Sequence, residues 1–206
     1  QKKLDIGGLD PIQVDRQLDN NFRNNYTIMQ KPSFSFSYLG FNLKSEKFKD
    51  IRIREALSLA INRQELVDIL FFGYGKVCNG PFLPDSFAYN DEVQTPVQDI
   101  NKAKELLKEA GYDENNPFTF EIVTNTGNDI RINAAQILQY QLQKSGIIMN
   151  IRVMEWQAFL NTIVHPRKFE AVLLGWSLAL MPDAYPLWHS SSSKLGGFNL
   201  VSYRSE

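Results

Sequence analysis

The sequence holds a single cysteine, Cys78, and only two histidines, His165 and His189. One cysteine excludes an internal disulfide and any cysteine-cluster metal centre. Zinc would need carboxylates at ligand spacing, and neither these nor an HExxH pattern occurs, so no metal is expected. The glycine-rich GYGKVCNG, residues 73–80, is not a phosphate loop, because its glycines are wrongly spaced and no Ser or Thr follows the lysine. No cofactor is expected either. Long apolar runs are missing as well: nothing approaches the 18 residues of a membrane-spanning helix. The opening QKKLDIGGLDP has two lysines with no apolar core behind them and no initiator methionine. It does not read as a secretion signal, and the expectation is a chain that begins partway through a longer protein. Neither sign of charge is in excess, with 22 Lys and Arg against 23 Asp and Glu. Overall charge therefore gives no footprint for nucleic acid or an anionic membrane, and the basic stretch KSEKFKDIRIR alternates in sign.

What is present is apolar material for a core, 43% of 206 residues, in a readable order of elements. LDIGG reads as a short strand, PIQVDRQL as a helix and DNNFRNN as a polar connection. FSFSYLGFN alternates at period two, a strand with Tyr38, Gly40 and Asn42 on one face. Asp50 caps a helix whose stripe is Ile53, Leu57, Ala60 and Ile61. Asn62 with Glu65 restarts a second one, ended by Gly73 and Gly75. Pro81, Pro84 and Pro96 mark a loop. Asp99 caps INKAKELLKEAGY, with Ala103, Leu106, Leu107 and Ala110 aligned and Gly111 at the stop. The last hundred residues alternate. PFTFEIVTN, IIMNIRVME and FEAVLLGW read as strands, separated by DIRINAAQILQYQLQKSG, with Ile130, Ala134, Ile137, Leu138 and Leu142 aligned, and by EWQAFLNTIV. A βαβαβ order with short turns predicts an α/β fold with an open, mainly parallel sheet and flanking helices. AVLLG lacks alternation, as a strand covered on both faces should.

In such a sheet, ligands bind beyond the carboxyl ends of the parallel strands. Asn125 to Asn128, Glu155-Trp156 and Gly175-Trp176-Ser177 occupy those ends, and two of the three tryptophans lie there. A tryptophan suits a half-polar cleft, where its ring is covered and its N–H finds a partner. The plainer alternatives stay open: either tryptophan as a core plug, Arg131 as a solvated cation, Asp183 as the cap of a short helix. His189 beside Ser190 to Ser193 invites a hydrolase reading, but no G-x-S-x-G elbow presents a serine. Cys78 with either histidine has no local signature of a thiol dyad. No catalytic residue is predicted, and a hydrolase ranks below a binding role.

Larger patterns point to a family. FKDIRIREALSLAINRQELV follows YLGFN at a short distance; NKAKELLKEAGY comes next; EWQAFL and FEAVLLGWS, with Pro182-Asp183 behind, come last. Together these resemble the peptide- and nickel-type solute-binding proteins that feed ABC importers, and the resemblance covers essentially the whole chain. It implies a lobe like that of a type II periplasmic binding protein, with residues 1–36 a remnant of the first lobe and crossover. Residues 37–206 would be the second ligand-binding lobe, truncated where VSYRSE resembles a point at which the family's chain continues. The implied role is an extracytoplasmic receptor, periplasmic or at the cell surface, that captures oligopeptides between two lobes and docks on a membrane permease. An oligosaccharide or other solute is the alternative, and self-association of the fragment through exposed strand edges is a further expectation.

Residue by residue, the resemblance makes Trp156 and Trp176 cavity-lining. It places Gly175 and Ser177 on an edge strand that pairs with a peptide backbone, Tyr38 beside a cavity-lining aromatic, and Arg131 near a basic position that meets a carboxylate. Asn125 joins them as a strand-end residue. Two departures stand out. Ala179 occupies the position of an aspartate that anchors a ligand ammonium, so that charge-assisted bond is lost. Leu173 and Gly40 replace an Arg–acid pair, both halves together, which leaves no stranded buried charge.

Overall fold

An apolar run flanked by amphipathic helices has to bury both faces, and in the computed structural model of the chain Ala171 to Leu174 do so. The structure describes residues 6–31, 33–84, 86–179 and 183–204. In chain order the elements begin α1 (Pro11–Arg16), α2 (Asn20–Asn25), β1 (Ser35–Phe41), a 3-10 turn (Glu46–Phe48), α3 (Ile51–Ala60), α4 (Arg63–Phe71) and α5 (Ile100–Glu109). They continue β2 (Thr119–Asn125), α6 (Asp129–Gln143), β3 (Ile148–Met154), α7 (Trp156–Phe159) running into a π-turn (Leu160–Val164), β4 (Ala171–Ser177), α8 (Tyr185–Trp188) and a 3-10 turn (Ser190–Ser193). No described helix is long and apolar enough to cross a membrane.

The chain divides into two compact units, Gln1–Ser33 with Arg63–Val77, and Phe34–Asn62 with Cys78–Glu206. In the smaller, a capping box between Asp10 and Gln13 starts α1. The polar stretch DNNFRNN is a helix rather than a connection: the Asp19 carboxylate accepts from Phe22 N at 2.7 Å and the Phe22 and Tyr26 rings stack. Arg16 lies over the Phe72 ring at 5.1 Å. Ile6 to Gly8 form no strand, and the rest of the LDIGG reading, Leu4 and Asp5, lies outside the described residues.

The larger unit carries the sheet, in the order β1-β4-β2-β3. β2 runs parallel to β3 and β4, and β1 runs antiparallel to β4, so the sheet is mixed, with a parallel core. The chain steps one way from β2 to β3 and back across β2 to β4. Right-handed crossovers therefore place α6 and α7 on opposite faces. Phe159, Ile163 and Val164 from the α7 segment pack on Val123, Val172 and Leu174, and Ala171 to Leu174 are all buried. Lower in the sheet Phe41, Phe48, Phe118 and Phe120 form a ring cluster with centroids 4.8–6.2 Å apart. Asp50 and Asp99 cap α3 and α5 as predicted, accepting from Arg52 N at 2.9 Å and Lys102 N at 2.8 Å.

Two helices differ from expectation. The buried residues of α6 are Ala135, Leu138, Gln141 and Leu142, and Ile130 is exposed. The inward place falls to Gln141 because its amide meets both main-chain groups of Asn62, accepting from N at 3.0 Å and donating to O at 3.2 Å. The helix predicted for EWQAFLNTIV widens after one turn, with His165 N donating to Leu160 O at 2.9 Å.

Candidate functional site

The hydrogen-bond direction of β4 decides what its upper end offers. Leu178 N donates to Phe34 O at 2.6 Å and Asn42 N to Glu170 O at 2.9 Å, at the two ends of one continuous antiparallel register. In such a ladder every second residue exchanges bonds with its partner. Trp176 and Leu174 therefore turn their main chain toward β1, and Leu173, Gly175 and Ser177 turn theirs toward β2. The β2 ladder reaches only Val172, and Leu173 O then accepts the Thr124 hydroxyl at 3.1 Å. Above that, no described strand faces the main-chain groups of Gly175 and Ser177. The expectation of an edge strand is thus corrected. β4 is interior, paired with β1 along its whole length, and only its last three residues are open, on one side, because β2 does not follow it that far.

The expected polar residues gather around this opening. Asn128 caps α6 by accepting from Arg131 N at 3.0 Å, which points Arg131 at the strand ends. Its Nη1 donates to Asn125 Oδ1 at 2.8 Å, and a Cβ on Gly175 would stand 3.0 Å from its Nη2. Gly175 is therefore what lets the guanidinium lie against the β4 backbone. The Arg131 Nε is buried without a hydrogen-bond partner. Burial lowers the Arg131 pKa, opposed only by Tyr38, so no described carboxylate balances this cation. Asn125 is itself buried and its amide is used internally, with Nδ2 donating to Thr126 O at 2.7 Å. It orients Arg131.

On the neighbouring strand, the Tyr38 ring lies over Gly40, where a Cβ would come within 2.8 Å of Tyr38 Cε2. The Trp176 side chain neighbours the Tyr38 hydroxyl. Burial pushes the Tyr38 pKa up to about 12, against the lowering effects of the neighbouring Trp176 side chain and of the Arg131 charge. Both rings pack on the cluster that contains Phe159, and the Trp156 ring meets Phe159 itself at 6.2 Å while staying 38% exposed. The two tryptophans thus abut one cluster from the ends of different strands, and neither is sealed inside.

The sequence profile of the bacterial extracellular solute-binding proteins, family 5, middle region, matches residues 1–198. The chain belongs to that family. It is 36% identical over 195 residues to the oligopeptide-binding protein AppA of Bacillus subtilis, covering 88% of this chain and 36% of that relative. The structure of that AppA in complex with a nonapeptide superposes with a TM-score of 0.78 at 35% identity, over 85% of this chain and 37% of the other. DppA of Helicobacter pylori in complex with the peptide STSA gives 0.80 at 29% identity, over 97% and 38%. NikZ of Campylobacter jejuni in complex with Ni(L-His) gives 0.79 at 27%, over 96% and 41%. The chain thus spans well under half the length of these relatives. The fold is that of type II periplasmic binding proteins.

Within a solute-binding protein the remaining sequence candidates have local explanations. Asp183 Oδ1 accepts from Tyr185 N at 2.9 Å from one residue ahead of Ala184, which holds the N-cap position of α8. His189 Nδ1 accepts from Ser191 N at 3.2 Å and stands 2.8 Å from Ser191 Oγ, capping the 3-10 turn that follows, with Tyr185 stacked on its ring at 4.3 Å. Two open depressions, about 560 Å³ beside Asp19 and Tyr26 and about 540 Å³ between α3 and α5, include none of the expected residues. One residue of interest was missed: Phe198, whose ring stands edge-on to Trp176 at 5.7 Å. No periodicity links positions 176 and 198, so no sequence signal marks it.

Proposed function

We propose that this chain is a lobe of an extracytoplasmic receptor that captures oligopeptides between two lobes for import through an ABC transporter. The observation that carries the reading is the open main chain of Gly175 and Ser177 beside Trp176, which packs on the buried cluster of Phe159. An extended peptide adds there as a strand, and recognition through the backbone tolerates varied side chains. Tyr38, Trp156 and Trp176 supply aromatic walls, and Arg131, oriented by Asn125, faces an anionic group of the ligand. That AppA and DppA are known with bound peptides supports the same use of this lobe. Residues 1–36 then belong to the first lobe and crossover, and residues 37–206 to the second lobe. The closed receptor, periplasmic or at the cell surface, docks on a membrane permease. The outer edge of β3, exposed at Ile148 and Val153, is where a second copy of the isolated lobe pairs. We assign no catalytic step. A non-peptide solute such as an oligosaccharide is the second reading, favoured by Ala179, which stands where the family resemblance places an ammonium-anchoring aspartate.

Ser177→Pro tests the reading. It removes the N–H that faces the opening and puts a ring in its place, and it leaves the β1 ladder intact. In the full-length receptor, calorimetry with a nonapeptide should show affinity falling about tenfold or more, with the thermal midpoint little changed. Unchanged peptide affinity sinks strand addition at this edge. Heat from oligosaccharides and none from peptides transfers the site to the second reading.

A further inference from the structure

Phe198 is 54% exposed, which for one surface aromatic is ordinary. What sets it apart is how firmly it is held. The Arg167 guanidinium donates to the carbonyls of Ser193, Lys194 and Gly197, the last two at 2.7 and 3.2 Å. Asn199 is fully buried, donates to the carbonyls of Trp188, His189 and Tyr203 at 2.9–3.2 Å, and accepts from Tyr203 N at 3.0 Å. Phe198 therefore sits between two residues whose main chain is tied down on either side. Its ring meets Trp176 at 79°, and Trp176 packs in turn on the buried cluster of Phe159, Val172 and Leu174. Two rigid rings at nearly a right angle form an apolar corner that loses little conformational entropy when it is filled.

We propose that Phe198 and Trp176 together form an apolar subsite that takes one uncharged hydrophobic side chain of the bound peptide. The inference rests on the receptor reading above and adds a site residue and a side-chain preference to it. Trp176 lies between Gly175 and Ser177, the two residues whose main chain is open. A strand laid beside them alternates its side chains between the two faces of the sheet. The ligand side chain on the Trp176 face enters the corner. Its neighbours point to the other face, where the Arg131 guanidinium lies against Gly175. The subsite therefore reads one position of an otherwise backbone-held ligand.

The test uses the full-length receptor and a set of alanine-rich nonapeptides in which a single phenylalanine is walked through every position. Calorimetry on the wild type should find one position that gains about tenfold over the all-alanine parent. In Phe198→Ala that gain should shrink to within about twofold, while the parent binds as before; Phe198→Leu should keep part of it. Thermal unfolding of both variants checks that the loop stays folded. A gain that survives Phe198→Ala, or no favoured position in the wild type, overturns the subsite while peptide capture stands. Equal weakening of every peptide overturns it too, since Phe198 would then brace the fold or the other lobe. If no peptide in the set binds the wild type, peptide capture falls and the subsite with it, a result distinct from binding without discrimination.

Discussion

Within β4, Ala171 to Leu174 are 0–5% exposed, with β1 on one side and β2 on the other over Ala171 and Val172, whereas Gly175 to Ser177 keep β1 alone. The same strand passes from core to opening within one residue step. Below the change, apolar side chains face helices on both sides and main-chain groups are paired. Above it, a glycine makes room for Arg131, a tryptophan and a tyrosine pack on one cluster, and a serine is exposed. Stability and recognition are thus separated along one chain direction, and substitutions in the two halves should affect different measurements.

The largest effect is expected in the lower half. Leu173 is 4% exposed, on the face that α6 covers. Leu173→Ala should cost about 2–5 kcal/mol in urea unfolding, from lost burial and the cavity left behind. Ser177→Ala should cost less than about 0.5 kcal/mol in the same assay. Comparable losses at the two positions would break the division.

Gly175→Ala probes the boundary, and we expect it to move both measurements. An added Cβ would stand 2.8 Å from Phe36 O and 3.0 Å from Arg131 Nη2, so backbone or guanidinium has to give way. A stability loss of about 1–3 kcal/mol should follow. Affinity for ligands with an anionic group should fall with it, and neutral ligands should be affected less. If Arg131→Gln removes the preference for an anionic group and Gly175→Ala does not, the guanidinium does not depend on the space at Gly175.

Much of this division was legible in the sequence, and the failures have a common physical cause. The unalternating AVLLG run announced a strand buried on both faces, the caps Asp50 and Asp99 fixed helix starts, and the strand-end rule pointed to Asn125, Trp156 and Trp176, of which Trp176 lies at the open end of β4. Each of those signals lies within a few residues. What escaped depends on partners far along the chain. Gln141 points inward because of Asn62, β4 is interior because β1 lies beside it, and Phe198 stands on Trp176 because Arg167 and Asn199 hold its loop. Asn125 was placed at the opening, yet its amide proved to be engaged by Arg131 and Thr126, which spacing alone does not show. The α2 helix is the exception, since its signal was local: Asp19 is a serviceable cap, hidden in a run of asparagines that reads as loop.

Tyr38 supplies the smallest and most specific test, because it sits at the level of the change, opposite Leu174 and on the same cluster as Trp176. Its folded pKa is raised from 10.0 to about 12, chiefly by burial. Below pH 10 the phenol is neutral in both folded and unfolded chains, and its contribution to stability is complete. Between pH 10 and about 12 the unfolded chain releases the proton and the folded chain keeps it, so stability falls as pH rises. The loss should amount to roughly 2 kcal/mol, since the group is not fully buried. Tyr38→Phe should cost about 1 kcal/mol or less at pH 8 and should then decline less steeply than the wild type toward pH 12. Urea unfolding of both proteins at several pH values measures the two slopes. Parallel slopes would mean that the hydroxyl is open to solvent at the upper end of β4, and that the boundary between core and opening lies below Leu174.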